Sequence, residues 1–182
     1  MSALITNFQS PVELRDLVDR YEKDGMTNID HIFHYEDTFG EWTVDKNSQV
    51  GDIVFFMCAK TSKEHMGHVC AEARRQGCTD QIIAFAEAER SLYKRYAGYI
   101  VAVGVIESEP FQEEDAGYAF PYWRSPWYAK IGNFELLNIP LHISEYRDYI
   151  TVSRTGAITR LTKEQEEILK NQIQTKNPNI VI

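Results

Sequence analysis

Gly51-Asp52-Ile53-Val54-Phe55-Phe56-Met57-Cys58 and Tyr99-Ile100-Val101-Ala102-Val103-Gly104-Val105-Ile106-Glu107-Ser108 are the two stretches that decide the fold. Each is apolar without alternation over most of its length, the pattern of a strand covered on both faces. The residues between them read as two helices. The first begins at Thr61 or Ser62 and stops at Gly77, and the second is capped by Thr79 and runs through Ile82, Ile83, Phe85, Ala86, Leu92 and Tyr93 to Gly98. A helical hairpin at about 61–97 therefore links two strands expected to be neighbours at the centre of one curved sheet.

Outward from this centre the signals are local. Ser10-Pro11-Val12-Glu13 has the form of a helix start, with Ser10 as N-cap, Pro11 at the first helical position and Glu13 closing a capping box, which predicts a helix over 10–24. A strand is expected near Trp42–Val44, followed by a turn at Asn47-Ser48. The aromatic stretch Tyr118–Tyr128 contains Pro121 and Pro126, so it reads as an ordered loop. Strands are expected at Tyr128–Leu137 and Tyr149–Val152, and Thr162 with Gln165 forms a capping box for a last helix ending at about Thr175. Helices set among short strands, without regular strand-helix-strand alternation, predict an α+β domain with a small mixed sheet or barrel.

The 182 residues are 43% hydrophobic and 25% charged, and the 9 Phe, 3 Trp and 10 Tyr supply bulky core material, so disorder is excluded and one domain over 1–182 is expected. No apolar run approaches the length a membrane helix needs, and the first ten residues do not have the form of a secretory signal. Three cysteines, Cys58, Cys70 and Cys78, suggest no disulfide framework. A cytoplasmic protein with no membrane partner is the expectation. The net charge of −8 rules out binding polyanions through overall charge. Residues 60–98 nevertheless hold seven cations against five anions, so Arg74, Arg75, Arg90 and Lys94 are the candidate phosphate contacts.

The catalytic and metal patterns are missing: the chain has no G-x-S-x-G, no Gly-rich phosphate loop followed by Lys, no H-E-x-x-H and no C-x-x-C. Cys58, His65, His68, Cys70 and Cys78 match no standard metal spacing, and Cys58 ends an apolar strand as a small core residue does, so neither a metal nor a cofactor is assigned. Tyr118, Phe120, Tyr122, Trp123, Trp127 and Tyr128 fall within eleven residues, beside Arg124 and Ser125. Aromatic faces stack on flat heterocycles and Arg and Ser supply directional hydrogen bonds, but large aromatics dominate ordinary cores as well, so composition alone favours packing of these rings onto the sheet.

Trp42, the segment Val50–Met57, the strand Tyr99–Ser108 and the run Ser153-Arg154-Thr155-Gly156-Ala157-Ile158-Thr159-Arg160-Leu161-Thr162 ahead of a helix together resemble an EVE domain. This domain belongs to the PUA-like group, which also includes the YTH and ASCH domains, and the resemblance covers most of 38–175. It implies a curved mixed barrel of five or six strands flanked by helices, with the helical hairpin as an insertion between two central strands. It also implies a pocket that accepts a modified base flipped out of DNA or RNA. Carried over residue by residue, the pocket comprises Trp42 and Thr43, then Met57 and Lys60, then Ser153 and Arg154. Trp123 and Trp127 are added from the aromatic stretch.

The function these readings favour is a non-catalytic nucleic-acid-binding module that captures a modified base in an aromatic pocket, with any effector a separate protein. The alternatives are an enzyme or small-ligand protein acting on a nucleotide or nucleoside on the same barrel, and a protein-interaction domain using the hairpin.

Overall fold

Strands Ile53–Cys58 and Tyr99–Ile106 pair antiparallel, with Phe55 opposite Val103 and Phe56 opposite Ala102. All six residues of the first strand are buried, as two-sided cover requires. In chain order the strands are β1 (Ala3–Phe8), β2 (Glu41–Thr43), β3 (Ile53–Cys58), β4 (Tyr99–Ile106), β5 (Phe111–Gln112), β6 (Trp127–His142) and β7 (Ile158–Leu161). Four α-helices accompany them among the described residues: α1 (Leu14–Lys23), α2 (Ser62–Arg75), α3 (Asp80–Tyr96) and α4 (Lys163–Lys176). The computed structural model describes residues 2–23, 25–29, 40–112, 126–152 and 158–182. Two units make up the chain: Met1–Phe8, Glu36–Met57 and Tyr99–Ile182 form the first, and Gln9–Tyr35 with Cys58–Gly98 the second.

The sheet runs β2-β6-β4-β3-β1-β7, with β5 paired to β6 off this path. Its two ends meet. β2 and β1 stand four strand spacings apart along the path, about 19 Å if the sheet were flat. The Thr6 hydroxyl of β1 nevertheless donates to the Thr43 carbonyl of β2 at 3.3 Å. Arg160 of β7 likewise reaches Asp45, just past β2, at 2.9 Å. The sheet is therefore curled into a half-barrel, and the fold is mixed α+β.

One face of the curl packs on α4. Ala3 and Ile5, Ile53, Phe55 and Met57, and Leu161 alternate onto that face and join Leu169 and Ile173 of the helix in one core cluster. Helix α4 starts where its residues dictate, with the Thr162 hydroxyl accepting from the Gln165 amide and the Gln165 side chain accepting from the Thr162 amide. The opposite face, carrying Leu4, Thr6, Val54 and Phe56, is equally buried and lines the inside of the curl.

In the second unit, α2 ends on Gly77 (φ +68°), whose left-handed backbone lets the Cys78 amide reach back to the Ala73 carbonyl at 3.0 Å. The Thr79 hydroxyl then caps α3 by accepting from the Ile82 amide. Tyr21 of α1 packs its ring against Phe85 of α3, with centroids 5.3 Å apart.

Three local expectations differ from what is observed. Helix α1 begins at Leu14, because Ser10 does not cap it: the Ser10 hydroxyl donates to the Ser62 carbonyl at 3.0 Å, and the Ser10 amide donates to the Ser62 hydroxyl at 3.1 Å. A buried serine offered a two-way partner 52 residues away spends its hydrogen bonds there. Residues 149–152 form no strand; they follow a short 3₁₀ turn, Ile143–Glu145, and bury Ile150 in the core. Strand β6 runs for 16 residues, past the expected end at Leu137 and through Asn138 and Pro140 to His142. Where it leaves the β4 ladder, Asn177 substitutes for a neighbouring strand: its Oδ1 accepts from the Ile139 amide at 2.8 Å and its Nδ2 donates to the Ile139 carbonyl at 3.0 Å.

Candidate functional site

Trp42, in the middle of β2, is half-buried, and its ring meets the ring of Phe56 edge-on with centroids 5.2 Å apart. In a flat sheet the strands that carry them would lie about 14 Å apart, so only the curl allows this contact. Phe134 on β6 completes the group, with its ring centroid 5.5 Å from that of Phe56. Phe56 is 1% exposed. The result is a fixed aromatic centre flanked by two rings that still reach solvent.

Two local features of the backbone make room for it. Opposite Val54 and Phe56, β4 carries only Gly104 and Ala102. A Cβ at Gly104 would come within 2.5 Å of Ile131 Cγ2, so a larger residue would have to displace the Ile131 side chain, while Phe56 Cε2 at 3.5 Å would be in ordinary contact. On β6 the pairing shifts register between Val103 and Val105, and Asn133 takes up a left-handed backbone (φ +47°). An extra residue of this kind re-aims the side chain that follows it, here Phe134.

The strand that carries Trp42 is three residues long and pairs with β6, with Trp42 opposite Ala129 and Thr43 opposite Tyr128. Towards the far end of the sheet, the Thr6 hydroxyl meets the Thr43 carbonyl and Arg160 meets Asp45. Asp45 Oδ1 also accepts from the Asn47 amide at 2.8 Å. Burial pushes the Asp45 carboxyl up, but the Asn47 amide and the hydrogen bond and charge of Arg160 outweigh it, and the group titrates below its ordinary value of 3.8. A carboxyl depressed in the folded state contributes stability that is fully present above its unfolded pKa and lost as pH falls through the folded one. The melting-temperature difference between wild type and Asp45→Asn should therefore be constant near neutrality and close as pH drops below about 4. A difference that stays the same down to pH values where carboxylates are protonated would remove Asp45 from that role.

The other expected site residues fall in several places. Thr43 adjoins Trp42 and is half-buried. Trp127 opens β6 half-buried, and its carbonyl accepts from the Val44 amide at 2.8 Å. Met57 is not with Trp42: it lies on the helix-facing side of β3, 4% exposed, where the buried Tyr146 hydroxyl donates to its sulfur at 3.1 Å. Lys60 is exposed in the second unit. Trp123, Ser153 and Arg154 lie outside the described residues. Sequence reasoning did not single out Phe56 or Phe134 as site residues; the one local signal for the second is Gly132-Asn133, a turn-like pair inside a strand.

The expected cationic face is largely matched by carboxylates. Arg74 meets Glu87 at 2.8 Å, Arg90 meets the same Glu87 at 3.6 Å, and Arg75 is held by Glu72 through two hydrogen bonds of 2.9 and 2.5 Å. Lys94 is exposed. An open groove of about 830 Å³ runs along α1 and α2, and its lining includes the ion pairs of Arg15 with Asp19 and Arg75 with Glu72. Burial pushes the Cys58 thiol up to about 12, and burial together with Glu87 pushes Cys70 up to about 11, so both are protonated packing groups at neutral pH. Among the described residues no three His, Cys, Asp or Glu side chains are placed to hold a metal ion, and no helix is long and apolar enough to cross a membrane.

No protein-family model and no curated protein matches the chain. Among solved structures, it is similar to the crystal structure of protein Atu2648 from Agrobacterium tumefaciens, at 8% sequence identity over 95% of this chain and 93% of that one, with a TM-score of 0.44.

Proposed function

We propose that this protein is a non-catalytic, cytoplasmic nucleic-acid-binding module of EVE type, a PUA-like barrel with α2 and α3 as a helical insertion, which captures a modified base of DNA or RNA. The observation that carries the reading is Trp42: a half-buried indole packed perpendicular to a buried phenyl ring, on a strand at the seam of the curl. A ring fixed in this way has already lost its rotamer freedom, so stacking a base on it costs little further ordering. Trp127, two residues before the Ala129 that faces Trp42, lies on the Trp42 side of the β2–β6 pairing and supplies an aromatic contact, while Thr43 alternates to the other face and borders the ring through its backbone. Ser153 and Arg154 complete the pocket in this proposal. The carboxylate pairing of Arg74, Arg75 and Arg90 leaves phosphate attraction a minor part, so affinity rests on the base.

The test is a titration of wild type and Trp42→Ala against matched oligonucleotides, single-stranded and duplex, with and without one methylated cytosine or adenine. Base stacking on an aromatic ring is worth roughly 1–3 kcal/mol, so the variant should lose about 5- to 150-fold in affinity for the preferred modified oligonucleotide while remaining folded by circular dichroism. The slope of log affinity against log salt should be shallow for both proteins. Equal affinity for every oligonucleotide would remove the base-reading function, and turnover of a free nucleoside would replace it with the enzyme.

A further inference from the structure

The strand bearing Trp42 is three residues long, and its pairing with β6 continues on either side through the Ile131 amide on the Gly40 carbonyl and the Val44 amide on the Trp127 carbonyl. That pairing ties β2 to β6, whereas the contacts that reach from β2 towards the far end of the sheet include Thr6 on the Thr43 carbonyl and Arg160 on Asp45. Asp45 and Arg160 span that approach with side chains alone. Arg160 sits opposite Leu4 in the β1–β7 ladder and so projects from the inner face of the curl, the face that also carries Thr6 and Phe56. Its guanidinium crosses the seam to Asp45 Oδ1 at 2.9 Å. Asp45 is fixed in turn by the Asn47 amide at 2.8 Å and the Asn47 side-chain nitrogen at 3.1 Å, so its carboxylate is presented by a tight turn rather than by a free side chain. The two side chains are about one-third exposed, which makes the pair a clamp at the rim of the curl and not a core element.

We propose that the Asp45–Arg160 pair is a positioning device for the ligand pocket: it sets the angle at which β2 presents the Trp42 ring over Phe56, and with it the affinity for the base. The inference rests on the base-reading function for its effect on affinity, but its effect on Trp42 stands on the seam geometry alone. Arg160 touches no ligand in this proposal. It acts by closing the seam between the strand that carries the stacking ring and β7. Thr6 on the Thr43 carbonyl holds the same edge closer to the ring, so loss of the ion pair loosens β2 without releasing it.

The experiment records the indole N–H signals of Trp42, Trp123 and Trp127 in ¹⁵N-labelled protein, with Trp42 assigned from Trp42→Phe, for wild type, Arg160→Gln, Arg160→Lys and the charge-exchanged pair Asp45→Arg with Arg160→Asp. Arg160→Gln should shift or broaden the Trp42 signal. Arg160→Lys should restore it towards wild type, and the exchanged pair, which gives up the Asn47 bonds to position 45, should restore it less. In parallel, Arg160→Gln should weaken binding of the preferred methylated oligonucleotide about 2- to 5-fold, as an exposed ion pair permits, and Arg160→Lys should recover part of that loss. An unmoved Trp42 signal in Arg160→Gln overturns the proposal, and so does a uniform shift of all three indoles, because that reports general loosening. A selective Trp42 response in a protein that binds no oligonucleotide would sustain the positioning role and overturn the base-reading function.

Discussion

Replacing Arg20 by alanine is expected to destabilise the protein by about 3–5 kcal/mol, because it strands a buried carboxylate. Arg20 Nη1 lies 2.9 Å from Glu89 Oε2 and donates to the Tyr93 hydroxyl at 3.0 Å. Glu89 is fully buried and the Arg20 side chain is 9% exposed, so water cannot take over when the guanidinium is removed. Burial also holds the Tyr93 phenol well above its ordinary pKa, so it stays a neutral partner throughout the physiological range. The pair ties α1 to α3 inside the second unit, and its geometry matters more than its net energy. Replacing both partners with apolar residues of similar volume, Arg20→Met with Glu89→Leu, should recover most of the loss, since the cost lies in leaving one charge unmatched. Urea denaturation followed by circular dichroism measures both variants. A loss below about 1 kcal/mol for Arg20→Ala would mean that the pair is solvated, and the stranded-carboxylate explanation would fail.

Phe56→Ala should be comparably severe, at about 3–5 kcal/mol, for a different reason. The ring is 1% exposed, it is the common neighbour of Trp42 and Phe134, and the strand opposite it offers only Ala102 and Gly104, which cannot expand to refill the space. The cavity would persist. Trp42→Ala, at the solvent side of the same cluster, should cost much less stability and act chiefly on ligand affinity. The two substitutions therefore separate the packing role of the cluster from the binding role proposed for it. If Trp42→Ala proves as destabilising as Phe56→Ala, then Trp42 is a core residue and the site loses its stacking ring.

The local elements were legible because their causes are local. Thr79, Thr162 with Gln165, and Gly77 carry capping chemistry that works within one helical turn, and the two apolar runs announce burial on both faces, which demands a central place in a sheet. Strand β1 was not legible: Leu-Ile-Thr-Asn in isolation gives no sign that Thr6 will be fully buried and bonded to a carbonyl on the far edge of the sheet. Ser10, read as a cap, serves a distant partner for the same kind of reason. Glu89 reads as one more acid among surface charges, and only the packing of α1 against α3 makes it a buried anion with Arg20 as its partner.

The site divides along the same line. The residues by themselves determined that an aromatic at position 42 precedes a Gly-Asp strand and that this strand is central. Tertiary structure alone decided that Met57 turns to the helix side while Phe56 turns inward, that a shift of register beside Asn133 aims Phe134 at the same ring, and that Asp45 and Arg160, 115 positions apart, close the seam. The physical reason is that strand side chains alternate with a period of two, so the face each one takes depends on register, bulges and curl, and these are settled by contacts between segments far apart in the chain.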